Sequence, residues 1–253
     1  MPPVTTDLCQ LEVGDRQVAH RLREGRSPTL VFFPGYASDM DGTKALAVDA
    51  FAETRGLSML RFDYSGTGSS GGRFEDGTLA LWLEESLAAV DRLTQGPLIL
   101  VGSSMGGWIA LHVALLKRER VAGVVGIAAA PDFTEWGFGA KQREMLKANG
   151  RLGDPSPEGA TPNLLTLGFW ESGQQMKLLE NEIGIDCPVR LIHGDADREV
   201  PLEIAFRTMR GLRSANVQLN VIKSGGHRLS EPHEIDAILR TVAALIEQPL
   251  EPS

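Results

Sequence analysis

Ser104 is the residue whose setting in the sequence most clearly indicates chemistry. It lies in the stretch LILVGSSMGGW, where an apolar run typical of a strand leads through Gly-x-Ser-x-Gly into a helical pattern. A tight turn between strand and helix lifts a serine hydroxyl above the sheet edge, so we predict Ser104 to be a nucleophile. Two alternatives stay open. Ser104 can simply cap a helix after a chance match, and Ser103 competes although it lies one position too early.

A nucleophilic serine needs a base that takes its proton and an acid that orients the base. His227 follows two glycines, in a loop that can bend over the carboxyl edge of a parallel sheet. We predict His227 to be the base, because the other four histidines occupy ordinary strand, helix and turn positions. Asp195 and Asp197 both follow a predicted strand, and the chain order Ser, Asp, His fits such a triad. Either aspartate can be the acid, and Asp197 can instead make only an Asx turn.

Acyl transfer by a serine also requires two hydrogen-bond donors aimed at the oxyanion that develops on the substrate. We predict the backbone N–H of Met105, directly after the nucleophile, as the first donor. The second is expected in the loop after the strand Thr29–Phe33, where the backbone N–H of Tyr36 is the candidate. The alternative is that Tyr36 only packs within a turn.

Other chemistries find less support in the sequence. The stretch from Gly66 to Gly71 matches Gly-x-Gly-x-x-Gly, but the loop continues where a nucleotide site would open a helix. Cys9 and Cys187 are the only cysteines and form no Cys-x-x-Cys pair, and no metal-ligand spacing occurs. The net charge of −8 disfavours binding to nucleic acid. We therefore predict no cofactor, no metal and no nucleic-acid partner.

The elements that must position these residues form an alternating pattern of apolar runs and helices, which indicates an α/β fold with a mostly parallel sheet. The predicted parallel strands are Thr29–Phe33, Ser58–Phe62, Leu98–Val101, Val121–Ala128, Val189–His193 and Val217–Ile222. The predicted helices on the two faces of the sheet are Thr43–Arg55, Leu79–Leu93, Met105–Lys117, Leu202–Arg210 and Pro232–Ile246. Two earlier runs, Leu8–Val13 and Gln17–Leu22, flank Gly14-Asp15 and predict an antiparallel N-terminal edge.

The segment 131–186 interrupts this alternation of predicted strands and helices. We predict one domain over residues 1–253, with 131–186 as a short cap-like insertion. Its large apolar residues either roof an acyl pocket or pack the insertion onto the sheet; they are Phe133, Trp136, Phe138, Leu164, Leu165, Leu167, Phe169, Trp170 and Met176. The first residues carry neither a basic nor an apolar leader pattern, and no apolar run reaches the length of a membrane span. We expect a cytoplasmic protein without a transmembrane segment.

Several blocks of sequence resemble the α/β-hydrolase-domain proteins, and within them the palmitoyl-protein thioesterase and acyl-glucuronide esterase subgroup. These blocks are Pro34-Gly35-Tyr36, Gly42–Ala47, Arg61–Gly66, Gly102–Trp108 and His227-Arg228. In the family pattern His-Gly-x-x-Asp-x-x-Val-Pro the acid is the aspartate at Asp197, which leaves Asp195 at a turn position. We expect the chain to differ from the subgroup at its N-terminus, where the first residues carry no organelle-targeting pattern, and in the 131–186 insertion.

The resemblance implies an α/β-hydrolase fold and a serine hydrolase that cleaves carboxylic esters or acyl thioesters through an acyl-enzyme. Its partner would then be a small acyl ester or thioester, or an S-acylated protein. One alternative is a ligand-binding homologue that kept the fold without turnover. Another is a C–C bond hydrolase or an amidase, which would use the same triad. The sequence leaves acyl chain length and oligomeric state open.

Overall fold

The computed structural model describes residues 6–154 and 163–247, without the side chains of residues 154 and 163. Within this part of the chain the main sheet has eight strands in the order β1-β2-β4-β3-β5-β6-β9-β10. The strands are β1 Cys9–Val13, β2 Arg16–Arg23, β3 Arg26–Phe33, β4 Leu57–Phe62, β5 Leu98–Ser103, β6 Val121–Ile127, β7 Arg151–Asp154, β8 Asn163–Thr166, β9 Val189–Gly194 and β10 Val217–Ile222. β2 pairs antiparallel with β1 and β4, whereas the pairs from β4 to β10 are parallel.

Helices cover both faces of the sheet. They are α1 Thr43–Arg55, α2 Leu79–Leu93, α3 Met105–Leu116, α4 Phe133–Trp136, α5 Ala140–Asn149, α6 Leu167–Gln175, α7 Leu202–Gly211 and α8 Pro232–Ile246. Side chains alternate along β3: Val31 and Phe33 join the core cluster that contains α2 and α3, and Leu30 and Phe32 join the cluster that contains α1 and α8. No helix in these two ranges is long and apolar enough to cross a membrane.

The predicted fold is confirmed, including the antiparallel N-terminal edge and the parallel strands with helices between them. The predicted bounds of α1, α2 and α8 agree with the structure to the residue. β3 is longer than predicted because Arg26 pairs with Leu57 of β4. Because that pairing joins distant parts of the chain, the local pattern of hydropathy does not predict it.

The predicted insertion, residues 131–186, lies between β6 and β9 and contains α4, α5, α6 and the antiparallel pair β7–β8. Residues 155–162 of it lie outside the described residues. Its apolar side chains divide between the two roles considered above. Leu165 and Phe169 are buried in the core. Trp136 lines a cavity, and Phe133 both packs against the core and lines that cavity.

Asp63 is a carboxyl group buried at the carboxyl end of β4, with 1% of its surface exposed. It accepts hydrogen bonds from the backbone N–H of Met40 at 2.6 Å and of Ser69 at 2.8 Å. Burial raises the pKa of Asp63 to about 6 despite these two hydrogen bonds, and the nearby carboxylates of Asp39 and Asp41 add to the rise. The folded protein therefore favours the protonated form more than the unfolded chain does.

This elevated pKa predicts that stability depends on pH. The stability that this difference in pKa between folded and unfolded chain contributes is fully present below about pH 4, and it is lost as the pH rises through about 6. Asp63→Asn cannot ionise, so the free energy of unfolding of the wild type relative to this variant should fall by on the order of 2 kcal/mol between pH 4 and pH 7.5. Urea unfolding at both pH values measures it. Gly14→Ala leaves Asp63 in place and should show no such trend; a constant difference for Asp63→Asn contradicts the prediction.

Candidate active site

Ser104 lies at a sharp turn between β5 and α3, with φ 54° and ψ −121°. A non-glycine residue with this backbone conformation is strained, and such strain is concentrated at functional sites. The flanking glycines permit the turn because a Cβ on Gly102 would overlap the Gly106 carbonyl, and one on Gly106 would overlap the Phe33 carbonyl. The sequence Gly-x-Ser-x-Gly thus produces a close approach of three backbone segments that leaves the Ser104 side chain partly accessible.

The structure brings His227 and Asp197 to Ser104, although the three residues lie far apart in the sequence. The Nε2 atom of His227 is 3.0 Å from the Ser104 Oγ atom, and its Nδ1 atom is 2.8 Å from Asp197 Oδ2. Ser104 follows β5, Asp197 follows β9 and His227 follows β10. Because these strands are parallel, their carboxyl ends meet at one edge of the sheet, where loops assemble sites in such folds.

Asp197 is fixed by three hydrogen bonds. Its Oδ1 atom accepts the backbone N–H groups of Glu199 and Val200, both at 2.9 Å, while Oδ2 faces His227. Burial opposes ionisation of this carboxyl, but the hydrogen bonds from His227, Val200 and Glu199 outweigh it and lower the pKa of Asp197. An ionised carboxylate only accepts hydrogen bonds, so His227 Nδ1 carries the proton and Nε2 is free to accept the Ser104 hydroxyl.

The competing aspartate points elsewhere. Asp195 is exposed, and its carboxylate accepts a hydrogen bond from the backbone N–H of Ser224. The Asx-type turn considered for Asp197 is present as well, but it uses only one carboxylate oxygen. Of the two aspartates, Asp197 is therefore the one within hydrogen-bonding distance of His227.

The two predicted oxyanion donors flank Ser104. A Cβ on Gly35 would lie 3.5 Å from Ser104 Cβ, so the loop that contains Tyr36 passes directly beside the serine. Met105 is the first residue of α3, where backbone N–H groups lack partners within the helix. Within residues 6–154 and 163–247, neither the Tyr36 nor the Met105 N–H donates a hydrogen bond to a protein acceptor. Both groups are available to a ligand.

The side chain of Tyr36 fixes the predicted insertion to the sheet. Its hydroxyl donates to the backbone carbonyl of Leu164 at 2.6 Å, and its ring makes edge contacts with Phe74, Phe133 and Phe169. Burial raises the pKa of the Tyr36 hydroxyl, which therefore stays protonated and keeps donating at neutral pH. Tyr36 is thus a packed loop residue whose backbone N–H nevertheless has no protein acceptor among the described residues.

A cavity of about 600 Å³ opens beside Ser104 and His227. One wall is aromatic and comes from the segment 131–186, with Phe133, Trp136 and Phe138. Another part of the lining, called here the polar wall, comes from the loop after β3, the start of α1 and the loop after His227. The residues of this polar wall are Ser38, Asp39, Thr43, Lys44, Arg228 and Ser230.

Three side chains around this site make contacts that the sequence did not predict. Lys44 Nζ donates to the backbone carbonyl of Arg228 and so ties α1 to the loop that contains His227. The exposed carboxylate of Glu199 lies 3.8 Å from His227 Nε2. His193 is buried in β9, where its Nε2 atom lies 2.9 Å from the Val200 carbonyl and 3.4 Å from Asp197 Oδ2. The His-Gly pair before the aspartates is the one signal that could have indicated the role of His193.

Comparison with known proteins identifies the class to which this fold and site belong. A model of the alpha/beta hydrolase fold matches residues 28–169, which include Ser104 and both predicted oxyanion donors. The chain belongs to the alpha/beta hydrolase family.

Within that family the chain is similar to the subgroup that its sequence blocks predicted, and this resemblance is confirmed. It is 35% identical over 236 residues to the human mitochondrial palmitoyl-protein thioesterase ABHD10, across 91% of this chain and 77% of that protein. The structure of mouse alpha/beta hydrolase domain-containing protein 10 superposes with a TM-score of 0.88 at 33% identity, over 95% of this chain and 98% of the other. A hydrolase structure from Agrobacterium vitis S4 gives 0.87 at 39% identity, over 97% and 100%.

Proposed function

We propose that the protein is a serine hydrolase that cleaves carboxylic esters or acyl thioesters through an acyl-enzyme on Ser104. The observation that carries this proposal is the continuous line of hydrogen bonds from Ser104 through His227 to Asp197. The similarity to proteins named palmitoyl-protein thioesterase supports the choice of acyl substrates. In this proposal Ser104 is the nucleophile, His227 the base and Asp197 the acid.

The geometry supports the following sequence of steps. Ser104 Oγ attacks the acyl carbonyl carbon while its proton passes to His227 Nε2, and the Tyr36 and Met105 N–H groups donate to the oxyanion. The bond from carbon to the leaving oxygen or sulfur then breaks, and His227 returns its proton to the leaving alcohol or thiol. Water attacks the acyl-enzyme with His227 again as base, which releases the acid and restores Ser104. Asp197 keeps the imidazole oriented and stabilises its charged form.

The two walls of the cavity divide the substrate between them. The leaving group must lie beside His227, which protonates it, and the polar wall with Arg228 belongs to the same loop. The acyl chain then lies along Phe133, Trp136 and Phe138, where apolar area is buried. We propose the segment 131–186 as a cap-like insertion of a single domain, with its first part forming the acyl wall.

Labelling with a fluorophosphonate probe tests the proposed class directly, because the probe reacts with an activated serine. The wild type should gain one adduct on Ser104 and should hydrolyse p-nitrophenyl acetate and acyl thioesters. A non-catalytic ligand-binding homologue would do neither. An amidase or a C–C bond hydrolase would also be labelled and would attack the activated p-nitrophenyl ester. A higher kcat/KM for unactivated acyl esters or thioesters than for matched amides would distinguish the proposed class from them.

The aromatic wall predicts a dependence on acyl chain length that Trp136 controls. Trp136→Ala removes apolar contact with a long chain but not with an acetyl group, so we expect the ratio of kcat/KM for octanoyl over acetyl esters to fall about tenfold. Trp170→Ala is a matched control. Both indoles belong to the same segment and donate to a backbone carbonyl at 2.8 Å, but Trp170 does not line the cavity within the described residues. Equal octanoyl-to-acetyl ratios of kcat/KM for both variants would contradict the proposal that the acyl chain lies along Trp136.

Cellular location stays a prediction. A cytoplasmic location was expected from the first residues of the chain, whereas the similar human protein is named as mitochondrial. Imaging of the tagged full chain in its own cell would decide it.

A further inference from the structure

The motif that resembled a nucleotide-binding loop encloses the carboxylate of Asp63. The N–H of Ser69 donates to Asp63 Oδ2 at 2.8 Å, and the hydroxyl of Ser70 donates to the Asp63 backbone carbonyl at 2.7 Å. Gly68 has φ +49°, and a Cβ at this position would overlap the Asp63 carboxylate. The loop Gly66–Gly71 thus holds one side of Asp63 and requires glycine at position 68 to do so.

The other side of Asp63 holds the loop Pro34–Gly42, which contains Tyr36. Asp63 Oδ1 accepts the backbone N–H of Met40 at 2.6 Å, and the guanidinium of Arg61 donates to the Met40 carbonyl at 2.7 Å. Met40 is fully buried, and its backbone N–H and carbonyl are both bound by side chains at the end of β4. Arg61 is in turn held by the carboxylate of Asp49 at 3.2 Å.

The beginning of the same loop is fixed separately. The hydroxyl of Tyr64 lies 3.4 Å from the Pro34 carbonyl, and the Phe33 and Pro34 carbonyls lie against Gly106 of α3. The Tyr36 N–H lies between these two fixed points. A shift at Met40 therefore displaces the section of loop that contains the proposed oxyanion donor.

We propose that Asp63 and Arg61 are positioning residues that hold the Tyr36 N–H where the oxyanion forms, and that the Gly66–Gly71 loop serves to hold Asp63. This inference rests on the proposed function, because it assigns a role to residues around the same site. An oxyanion donor accelerates a reaction only when it is already in place, and a displacement of about 1 Å can cost about 10²-fold in rate. Neither residue contacts the serine, so their effect on kcat acts through the loop.

Substitution of Asp63 tests the proposal. Asp63→Ala leaves the Met40 N–H without an acceptor, so we expect kcat for p-nitrophenyl acetate to fall about 10- to 100-fold with KM within threefold. Asp63→Asn should lose less, because the amide oxygen can still accept from Met40. The matched control is Glu85→Ala. Glu85 is equally buried, accepts the Ser65 N–H at 2.9 Å and pairs with Arg16, all outside the Pro34–Gly42 loop. It should lower the thermal midpoint but leave kcat within threefold.

A second pair of variants keeps the test decisive if Asp63→Ala does not fold. In Gly68→Ala the added methyl group overlaps the Asp63 carboxylate, so kcat should fall as it does in Asp63→Ala. Gly14→Ala introduces the same left-handed strain, at φ +62° with nothing within 4 Å, and should not. Equal effects of each variant and its control, or a loss confined to KM, would overturn the positioning role. If the wild type neither hydrolyses these esters nor reacts with fluorophosphonate, the proposed function fails instead.

Discussion

Replacing Ser104 with alanine should lower kcat for ester hydrolysis at least about 10⁴-fold, with the thermal midpoint unchanged. The reason is that no acyl-enzyme can form without the Ser104 hydroxyl, and only the oxyanion donors and binding contacts remain to accelerate attack by water. Steady-state kinetics with p-nitrophenyl acetate measures the loss. Intact mass after fluorophosphonate treatment should show one adduct on the wild type and none on Ser104→Ala.

Ser103→Ala is the control for this first prediction. Ser103 is the neighbouring hydroxyl, and it belongs to β5 rather than to the turn. We expect this variant to keep both labelling and activity within about tenfold. Activity that survives in Ser104→Ala, or labelling that disappears only in Ser103→Ala, would reject Ser104 as the nucleophile.

Replacing Asp197 with asparagine should lower kcat by about 10⁴, the second largest effect that we expect. The substitution keeps the side-chain volume and an oxygen that can accept the Glu199 and Val200 N–H groups. However, the amide no longer stabilises the imidazole tautomer with its proton on Nδ1, nor the imidazolium that forms during the reaction. Full pH profiles of kcat and kcat/KM for variant and wild type measure the loss.

Asp195→Asn gives the matched comparison, since Asp195 belongs to the same loop and accepts only the Ser224 N–H among the described residues. Its kcat should stay within about threefold of the wild type. A large loss for Asp195→Asn together with a small one for Asp197→Asn would reverse the assignment of the acid. Comparable losses for both would indicate that the loop as a whole, rather than one carboxylate, is needed.

Most strands and helices could be predicted because each depends on contiguous residues. The bounds of α1, α2 and α8 follow from local apolar periodicity, and α2 also has a capping residue, Thr78, whose side chain accepts the Leu81 N–H. Elements of the segment 131–186 could not be predicted in this way. Phe169 is buried there because the rings of Trp82 and Tyr36, distant in sequence, pack against it.

The residues of the candidate site differ in the same way: some depend on contiguous sequence and others on distant partners. Ser104 and Met105 could be assigned from one continuous block, because a strand, two glycines and a helix define the turn by themselves. The Gly66–Gly71 loop shows the opposite case. Its glycine pattern resembled a nucleotide-binding loop. In the structure, however, the loop donates a hydrogen bond to Asp63, which also accepts the N–H of Met40 from another part of the chain.

The sequence by itself determined the α/β fold, the turn at Ser104 and the subgroup of hydrolases that this chain resembles. The family pattern already favoured Asp197 over Asp195, but only the tertiary structure showed that Asp197 lies 2.8 Å from His227 while Asp195 accepts the Ser224 N–H. Only the tertiary structure also showed that aromatic and polar residues from distant segments line one cavity. The physical reason is that the local backbone conformation of a strand, turn or helix follows largely from neighbouring residues. The direction of a side chain two positions along a loop depends instead on hydrogen bonds to segments 30 residues or more away, such as the one between Asp197 and His227.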